Sequence, residues 1–524
     1  MHLQRSALLL ALFAPMVGAQ SAFVSLLRSD TIQIERFTRT PTRLDGEIIT
    51  KGGPRQVFSS VIEPSGRLGA MTYTAYAFGA RSDAAPMVTG RIALVGDSAH
   101  AVLDVQGRPT STQRIASRVE AQPIVNNSMA ALEAMIVKLR RGSTATGTAP
   151  VFLASGGTTL DASFSGLQSD SITASIASIA FWMIVDSTGR IQRAGIPSQS
   201  LLISRVEGIA VSKLGLAKPD YAAPSGAPYS AEAVTVPTTL GHSLGGTFTK
   251  PPGAHAPLPV VISITGSGAQ DRDEYISVVP NGYRLFRQVA DTLGRRGIAM
   301  LRMDDRGYGE SGGSFAAATS RDFANDVRAS IAYLRTRPDV DARKIFLIGH
   351  SEGGLVAPIV ATEEPALAGI VLMAGPGRTG RAILEFQVKY AIERDTSLTV
   401  AKRDSQLARA SITVDSALKS TPWLTFFGAH DPIATARKVK VPVLLLQGGD
   451  DQQVIAAEAP LLEKAFRAGG NRDVTMRVFP ELNHLFIRQP GGNPAGYATL
   501  PTHLASAEVL GVAVDWIAAR VGRK

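Results

Sequence analysis

The sequence predicts an α/β domain built on a mostly parallel sheet with helices on both faces and a helical insert, preceded by a separate β-rich domain. Three observations support this. Beyond about residue 231, short apolar runs alternate with amphipathic stretches, the texture of strands buried on both faces. Within that region an apolar run leads through Gly349-His350-Ser351-Glu352-Gly353 directly into a helical pattern. Before about residue 216 the chain is instead rich in Thr, Ser, Val and Ile, with period-two alternation.

The chain opens on Met1–Ala19, with Arg5 as a short positive region, an apolar core from Ala7 to Val17 and a small-x-small site at Val17-Gly18-Ala19. That arrangement predicts an export signal cleaved near Ala19 and a mature chain that is periplasmic or secreted. No later stretch holds eighteen uninterrupted apolar residues, so no stable membrane span is expected.

In residues 20–216, Thr31 to Phe37 alternates as a half-buried strand does. Phe181 to Val185 and Arg190 to Ala194 flank Asp186-Ser187-Thr188-Gly189, a hairpin signal. One helix is predicted over 128–141, where Met129, Leu132, Met135, Ile136 and Leu139 share a face. The region reads as an antiparallel β domain with no catalytic constellation, able to bind a lipid, a glycan or a partner, or to shape the entrance to its neighbour. Residues 217–230, rich in Pro, Ala and Gly, predict a linker.

From residue 231 to 524, strands are predicted at Val260–Ile264, Ile298–Leu301, Lys344–Ile348, Leu367–Met373, Val441–Leu446 and Val474–Phe479, with helices at Tyr283–Arg295, Phe323–Arg335 and Ala457–Ala468. Residues 376–432 are too long for a simple crossover and predict a cap of two or three helices ending in an aromatic cluster around Trp423, Phe426 and Phe427. Parallel sheets bind ligands at the carboxyl ends of their strands, which directs attention to the loops there.

Composition narrows the chemistry. The 524 residues include no Cys, which excludes disulfides, thiolate nucleophiles and Cys-ligated metal sites. The net charge of +10 is dispersed, without the clustered basic face that nucleic-acid binding requires. Gly266-Ser267-Gly268 lacks a following Walker lysine, which argues against phosphate binding.

The G-x-S-x-G segment, set between a buried strand and a helix, predicts Ser351 as a nucleophile on a tight turn. A serine hydroxyl needs a base and an orienting acid, expected downstream in the order Ser, Asp, His. Of eight histidines, His2, His100, His242, His255 and His350 do not lie downstream, leaving His430, His484 and His503. His484 follows the last predicted strand, where a base would have to sit. The acid is expected in Gly448-Gly449-Asp450-Asp451, after the preceding strand.

These segments, with Arg302-Met303-Asp304-Asp305-Arg306-Gly307-Tyr308-Gly309 and Asn483-His484-Leu485-Phe486, resemble serine esterases of the α/β-hydrolase superfamily. They are similar to bacterial carboxylesterases of the serine aminopeptidase-like group, over about residues 238–520. One departure is Ala269, where similar esterases usually carry Pro. The resemblance implies Asp451 rather than Asp450 as the acid, matching Gly-x-x-Asp-x-x-Val. It also implies hydrolysis of a small-molecule carboxylic ester through an acyl-enzyme, without metal or organic cofactor. The oxyanion would be held by the backbone amides of Glu352 and Ser267, with Gly268 as the alternative to Ser267. Peptidase, amidase and acyltransferase activities use the same machinery and stay open, as does a non-catalytic role in ligand binding. Asp271, Arg272 and Asp273 read as an ion-paired brace and Asp304 to Ser311 as a structural turn. The side chain of Glu352 could either fasten the turn or meet a polar substrate.

Overall fold

A computed structural model describes residues 20–27, 30–51, 53–76, 85–105, 109–176, 179–216, 219–251, 257–396 and 398–522. The expected export signal over residues 1–19 and the first two linker residues, 217–218, lie outside the described residues.

Among the described residues, the N-terminal region forms one fifteen-stranded sheet. Its central strand, Ser21–Leu27, pairs antiparallel with Asp30–Arg39 on one side and Leu201–Glu207 on the other. From there neighbours follow chain order out to the edges at Ser111–Ala116 and Gln122–Ile124. The expected hairpin is present, with strands Ile179–Val185 and Ile191–Ile196. The sheet curls until distant strands meet. Gln122 accepts from the Leu68 amide at 2.9 Å, and the Ser117 and Thr159 hydroxyls lie 2.8 Å apart.

The expected helix runs over Met129–Leu139, and its first eight residues are buried within this curl. A helix enclosed this way cannot leave its N-terminal amides to water, so it needs partners from the sheet. Ser128 accepts from the Ala131 amide, and Glu35 on Asp30–Arg39 accepts from the amides of Met129 (2.7 Å) and Ala130 (3.1 Å) and from the Ser128 hydroxyl. Glu133, buried on the helix itself, pairs with Arg205 and accepts from the Ile191 amide at 2.8 Å. Two buried carboxylates thus fix the helix to both halves of the sheet.

The second region holds an eight-stranded sheet: β1 (Ser230–Pro237), β2 (Ser243–Lys250), β3 (Leu258–Ile264), β4 (Ala299–Met303), β5 (Val340–His350), β6 (Gly369–Met373), β7 (Val443–Gly448) and β8 (Val474–Phe479). Its order is β1-β2-β4-β3-β5-β6-β7-β8. The pairs β1–β2 and β2–β4 are antiparallel and all others parallel, which meets the expectation of a mostly parallel sheet. Strands β1 and β2, absent from the expected set, add the antiparallel edge.

Alternate residues of each central strand serve two cores, as the pleat requires. Val260 and Ile262 of β3, Ile345 and Leu347 of β5, and Val443 and Leu445 of β7 pack towards α2 (Ser320–Thr336), α3 (Gly353–Ala361) and α8 (Glu458–Ala468). Val261, Phe346, Ile348, Leu444 and Leu446 pack towards α1 (Leu285–Gly294) and α9 (Ala507–Val521). Each side chain so buried contributes about 1.5–3 kcal/mol, which is why these strands read as continuous apolar runs. Between β6 and β7 the insert forms α4 (Gly380–Arg394), α5 (Val400–Ala417), α6 (Pro422–Ala429) and the short α7 (Pro432–Ala436).

Burial raises the Glu35 carboxyl from 4.5 to about 7, against the lowering effect of its hydrogen bonds. A carboxyl whose pKa is raised on folding contributes stability that is complete below its unfolded value and is lost as pH rises through its folded value. Stability of the N-terminal sheet is therefore expected to fall between pH 4.5 and about 7. Glu35→Gln, whose amide can still accept from the helix amides, should flatten that fall by roughly 1–3 kcal/mol. Hydrogen exchange of the Asp30–Arg39 amides across this range checks it; an unchanged slope in the variant would contradict the assignment.

Candidate active site

The turn from β5 into α3 is dictated by backbone crowding. A Cβ on Gly349 would lie 2.1 Å from the Gly353 carbonyl oxygen, and one on Gly353 would lie 2.1 Å from the Ile264 carbonyl oxygen of β3. Only glycine fits at either position. Between them Ser351 is held at φ +54°, a left-handed conformation that costs a non-glycine residue about 1–2 kcal/mol. Its amide donates to the Met373 carbonyl at the end of β6 (2.8 Å), and its carbonyl accepts from Gly354 (2.8 Å). The first bond fixes the turn to β6 and the close approach of Gly353 to Ile264 seats it against β3, and Ser351 lines the cavity above the sheet.

Asp451 and His484 come from the loops after β7 and β8. His484 Nδ1 lies 2.7 Å from Asp451 Oδ2, with both side chains buried. The other oxygen, Oδ1, accepts from the amides of Gln453 (2.8 Å) and Val454 (2.9 Å), so the carboxylate is aimed by its own loop. A carboxylate at Nδ1 holds the imidazole proton there and leaves the Nε2 lone pair free. Asp450 does not meet the imidazole; its Oδ2 accepts from the Gly491 amide at 2.9 Å. Asn483 shapes the His484 loop by accepting from the amides of Leu485 and Ile487.

Ser351 and His484 line one cavity of about 410 Å³, together with Ser267 and Glu352. The other candidate histidines lie elsewhere. His430 stacks on Phe426 within the insert, and the His503 carbonyl accepts from Gln288.

A second histidine–carboxylate pair lies against the first, and sequence reasoning did not find it. His350 Nδ1 is 2.6 Å from Glu274 Oε1, and His350 Nε2 is 3.0 Å from the His484 carbonyl oxygen. Both ring nitrogens thus face acceptors. Burial pulls the His350 imidazole down, but the Glu274 charge and these hydrogen bonds outweigh it, and the net direction is upward. The two imidazole rings are 4.8 Å apart between centroids. His350 is therefore a support for the loop that carries His484. Its signal in the sequence was only a histidine beside Ser351 and a glutamate seventy-odd residues upstream.

The loop after β3 is held by the brace expected there. Arg272 grips Asp304 through Nε (3.0 Å) and Nη2 (2.6 Å), reaches Glu310 at 2.6 Å and lies over the Tyr221 ring. Asp273 pairs with Arg302 beneath the loop. Asp305 accepts from the Thr265 hydroxyl (2.8 Å) and the Gln270 amide (2.9 Å), tying the 304–311 turn to the Ser267 loop. Glu352 fastens the turn to the insert: one carboxyl oxygen accepts from Ser320 (2.6 Å) and from the Trp423 indole (2.8 Å). Burial raises its pKa. Ile383 and Leu384 of α4 and Trp423 and Phe427 of α6 complete the apolar wall of the cavity.

Comparison with known proteins finds similarity to hydrolases over this region. Residues 281–490 match the family described as serine aminopeptidase, S33. The chain is 30% identical over 281 residues to esterase EstD of Thermotoga maritima, covering 52% of this chain and 63% of that one. It is 28% identical over 257 residues to dipeptidyl aminopeptidase BIII of Pseudoxanthomonas mexicana, covering 48% and 34% respectively. The chain thus spans less than two thirds of the length of either relative. Among solved structures, an esterase of Pyrococcus furiosus aligns at 19% identity and a TM-score of 0.39, over 51% of this chain and 88% of that one.

The crowding at the turn gives a direct contrast. Gly353→Ala pushes a methyl into backbone, which cannot move aside, and should cost more than about 3 kcal/mol. Gly268→Ala meets nothing within 4 Å and is strained only by its φ of +94°, so about 1–2 kcal/mol is expected. Thermal unfolding of both variants checks this, and equal losses would contradict the packing argument.

Proposed function

We propose that the C-terminal region is an α/β-hydrolase domain of the serine aminopeptidase S33 group and that it hydrolyses carboxylic esters through Ser351, His484 and Asp451, a reading supported by the similarity over residues 281–490 and to esterase EstD. The observation that carries the reading is the 2.7 Å contact between buried His484 and Asp451, opening onto the same cavity as Ser351 on its strained turn.

The steps follow from those positions. Ser351 Oγ attacks the ester carbonyl carbon as His484 Nε2 takes its proton. The resulting imidazolium is stabilised by Asp451, which keeps its own charge. The amide of Glu352, at the N-terminus of α3, and that of Ser267 donate to the oxyanion. Collapse of the tetrahedral intermediate breaks the bond to the alkoxy oxygen, which leaves with the proton from His484, and the acyl group stays on Ser351. Water then attacks the acyl carbon, giving its proton to His484, and the second intermediate releases the carboxylic acid and restores the Ser351 hydroxyl. The buried brace around Arg272 and Asp304 holds the Ser267 loop still during both collapses, so little reorganisation is needed as charge develops.

The apolar lining from Ile383, Leu384, Trp423 and Phe427 suits an acyl chain, and the cavity of about 410 Å³ favours a small or medium ester.

Hydrolysis of p-nitrophenyl esters from acetate to palmitate by the wild type should be abolished in Ser351→Ala, by about 10⁴-fold or more in kcat, with folding intact. A folded Ser351→Ala protein that retains turnover contradicts the mechanism. Hydrolysis confined to peptide p-nitroanilides would move the activity to the peptidase class.

A further inference from the structure

The curled N-terminal sheet contains a second cavity, of about 420 Å³, between the enclosed helix and the strands around it. Its wall is apolar along most of its length, with Leu132 from the helix, Leu153, Leu160, Ile176, Phe181 and Ile203 from one half of the sheet, and Ile32 from the other. An apolar space of this size is costly to leave unfilled, because its lining side chains lose dispersion contacts on one side. A helix so firmly tied by Glu35 and Glu133 cannot collapse into it. The cavity is therefore a fixed feature of the domain.

One end is polar. Asn127 and Gln199 are solvent-exposed there and mark the mouth, and Asn126 beside them has a buried side-chain oxygen with no hydrogen-bond partner among the described residues. An unpaired buried carbonyl costs about 1–3 kcal/mol and is explained if a bound molecule supplies the donor, as the hydroxyl of an un-ionised carboxylic acid head does. An apolar interior closed by carboxamides matches a molecule with a long hydrocarbon part and one small polar head. At roughly the volume of a water per methylene, about 30 Å³, the space holds an acyl chain of about fourteen carbons.

We propose that the N-terminal domain is a binding site for a single-chain acyl lipid, with its chain beside the helix and its head at Asn126, Asn127 and Gln199. Thr50 lines the cavity, and the next residue, Lys51, places its ammonium 5.4 Å from the ring centre of Tyr275, whose neighbour Ile276 lines the catalytic cavity. The site stands independently of what Ser351 does.

The test is titration of the full-length protein with cis-parinaric acid, a fluorescent long-chain fatty acid. Saturable binding is expected, weakened at least tenfold by Leu160→Trp or Ile179→Trp, which fill the cavity from half-buried positions, and retained by Leu384→Trp, which fills the catalytic cavity instead. In parallel, a diazirine fatty acid crosslinked to the wild type should label peptides from residues 124–132, 153–160 and 176–203, which needs no variant. Absence of saturable binding would overturn the proposal. So would binding lost only in Leu384→Trp, or crosslinks confined to residues 376–454.

Discussion

Everything in the candidate site depends on how closely three backbones approach one another at the end of β5. The start of α3 lies so near β3 and β5 that neither Gly349 nor Gly353 can carry a Cβ, and Ser351 between them is forced to a positive φ. A left-handed serine persists only where its surroundings fix it more strongly than the strain resists, and here the hydrogen bond to Met373 and the packing of α3 do so. The same crowding that strains the turn sets Ser351 and the N-terminus of α3 at Glu352 against one cavity.

Around that turn the protein distributes buried charge with unusual care. The His484–Asp451 and His350–Glu274 pairs lie side by side, and the second supports the first by donating from His350 Nε2 to the His484 carbonyl. Arg272, nearly fully buried, neutralises Asp304 and fixes the loop that carries Ser267, while Glu352 couples the turn to Trp423 of the insert. Buried ions are costly unless paired, so these pairs are rigid, and their rigidity is what a site with preorganised dipoles requires. In the N-terminal domain one such pair, Glu133 with Arg205, and the hydrogen-bonded Glu35 carboxyl fix a helix inside a sheet.

Much of this could be read from the sequence because it is local. The continuous apolar runs that became β3 to β8, the glycines flanking Ser351 and the spacing of Asp451 and His484 from their strand ends each depend on a few neighbouring residues. The antiparallel strands β1 and β2 were missed: their residues alternate weakly and Gly245-Gly246 interrupts the pattern. The Glu274–His350 pair was missed because it joins loops far apart in the chain, and periodicity carries no information about such contacts. The N-terminal domain shows the sharpest limit. Period-two alternation indicated strands and a helical stripe indicated Met129–Leu139, but the curl of the sheet around that helix arises from long-range contacts such as Leu68 with Gln122. The cavity inside is a consequence of that curl and left no mark on the pattern.

The most direct test of the catalytic account is to catch the covalent intermediate. A slow ester substrate, quenched in acid during turnover and followed by peptide mapping, should show the acyl mass on the peptide that contains Ser351 and on no other. Turnover with no acyl group on Ser351, or with the acyl group on a different residue, would contradict the account.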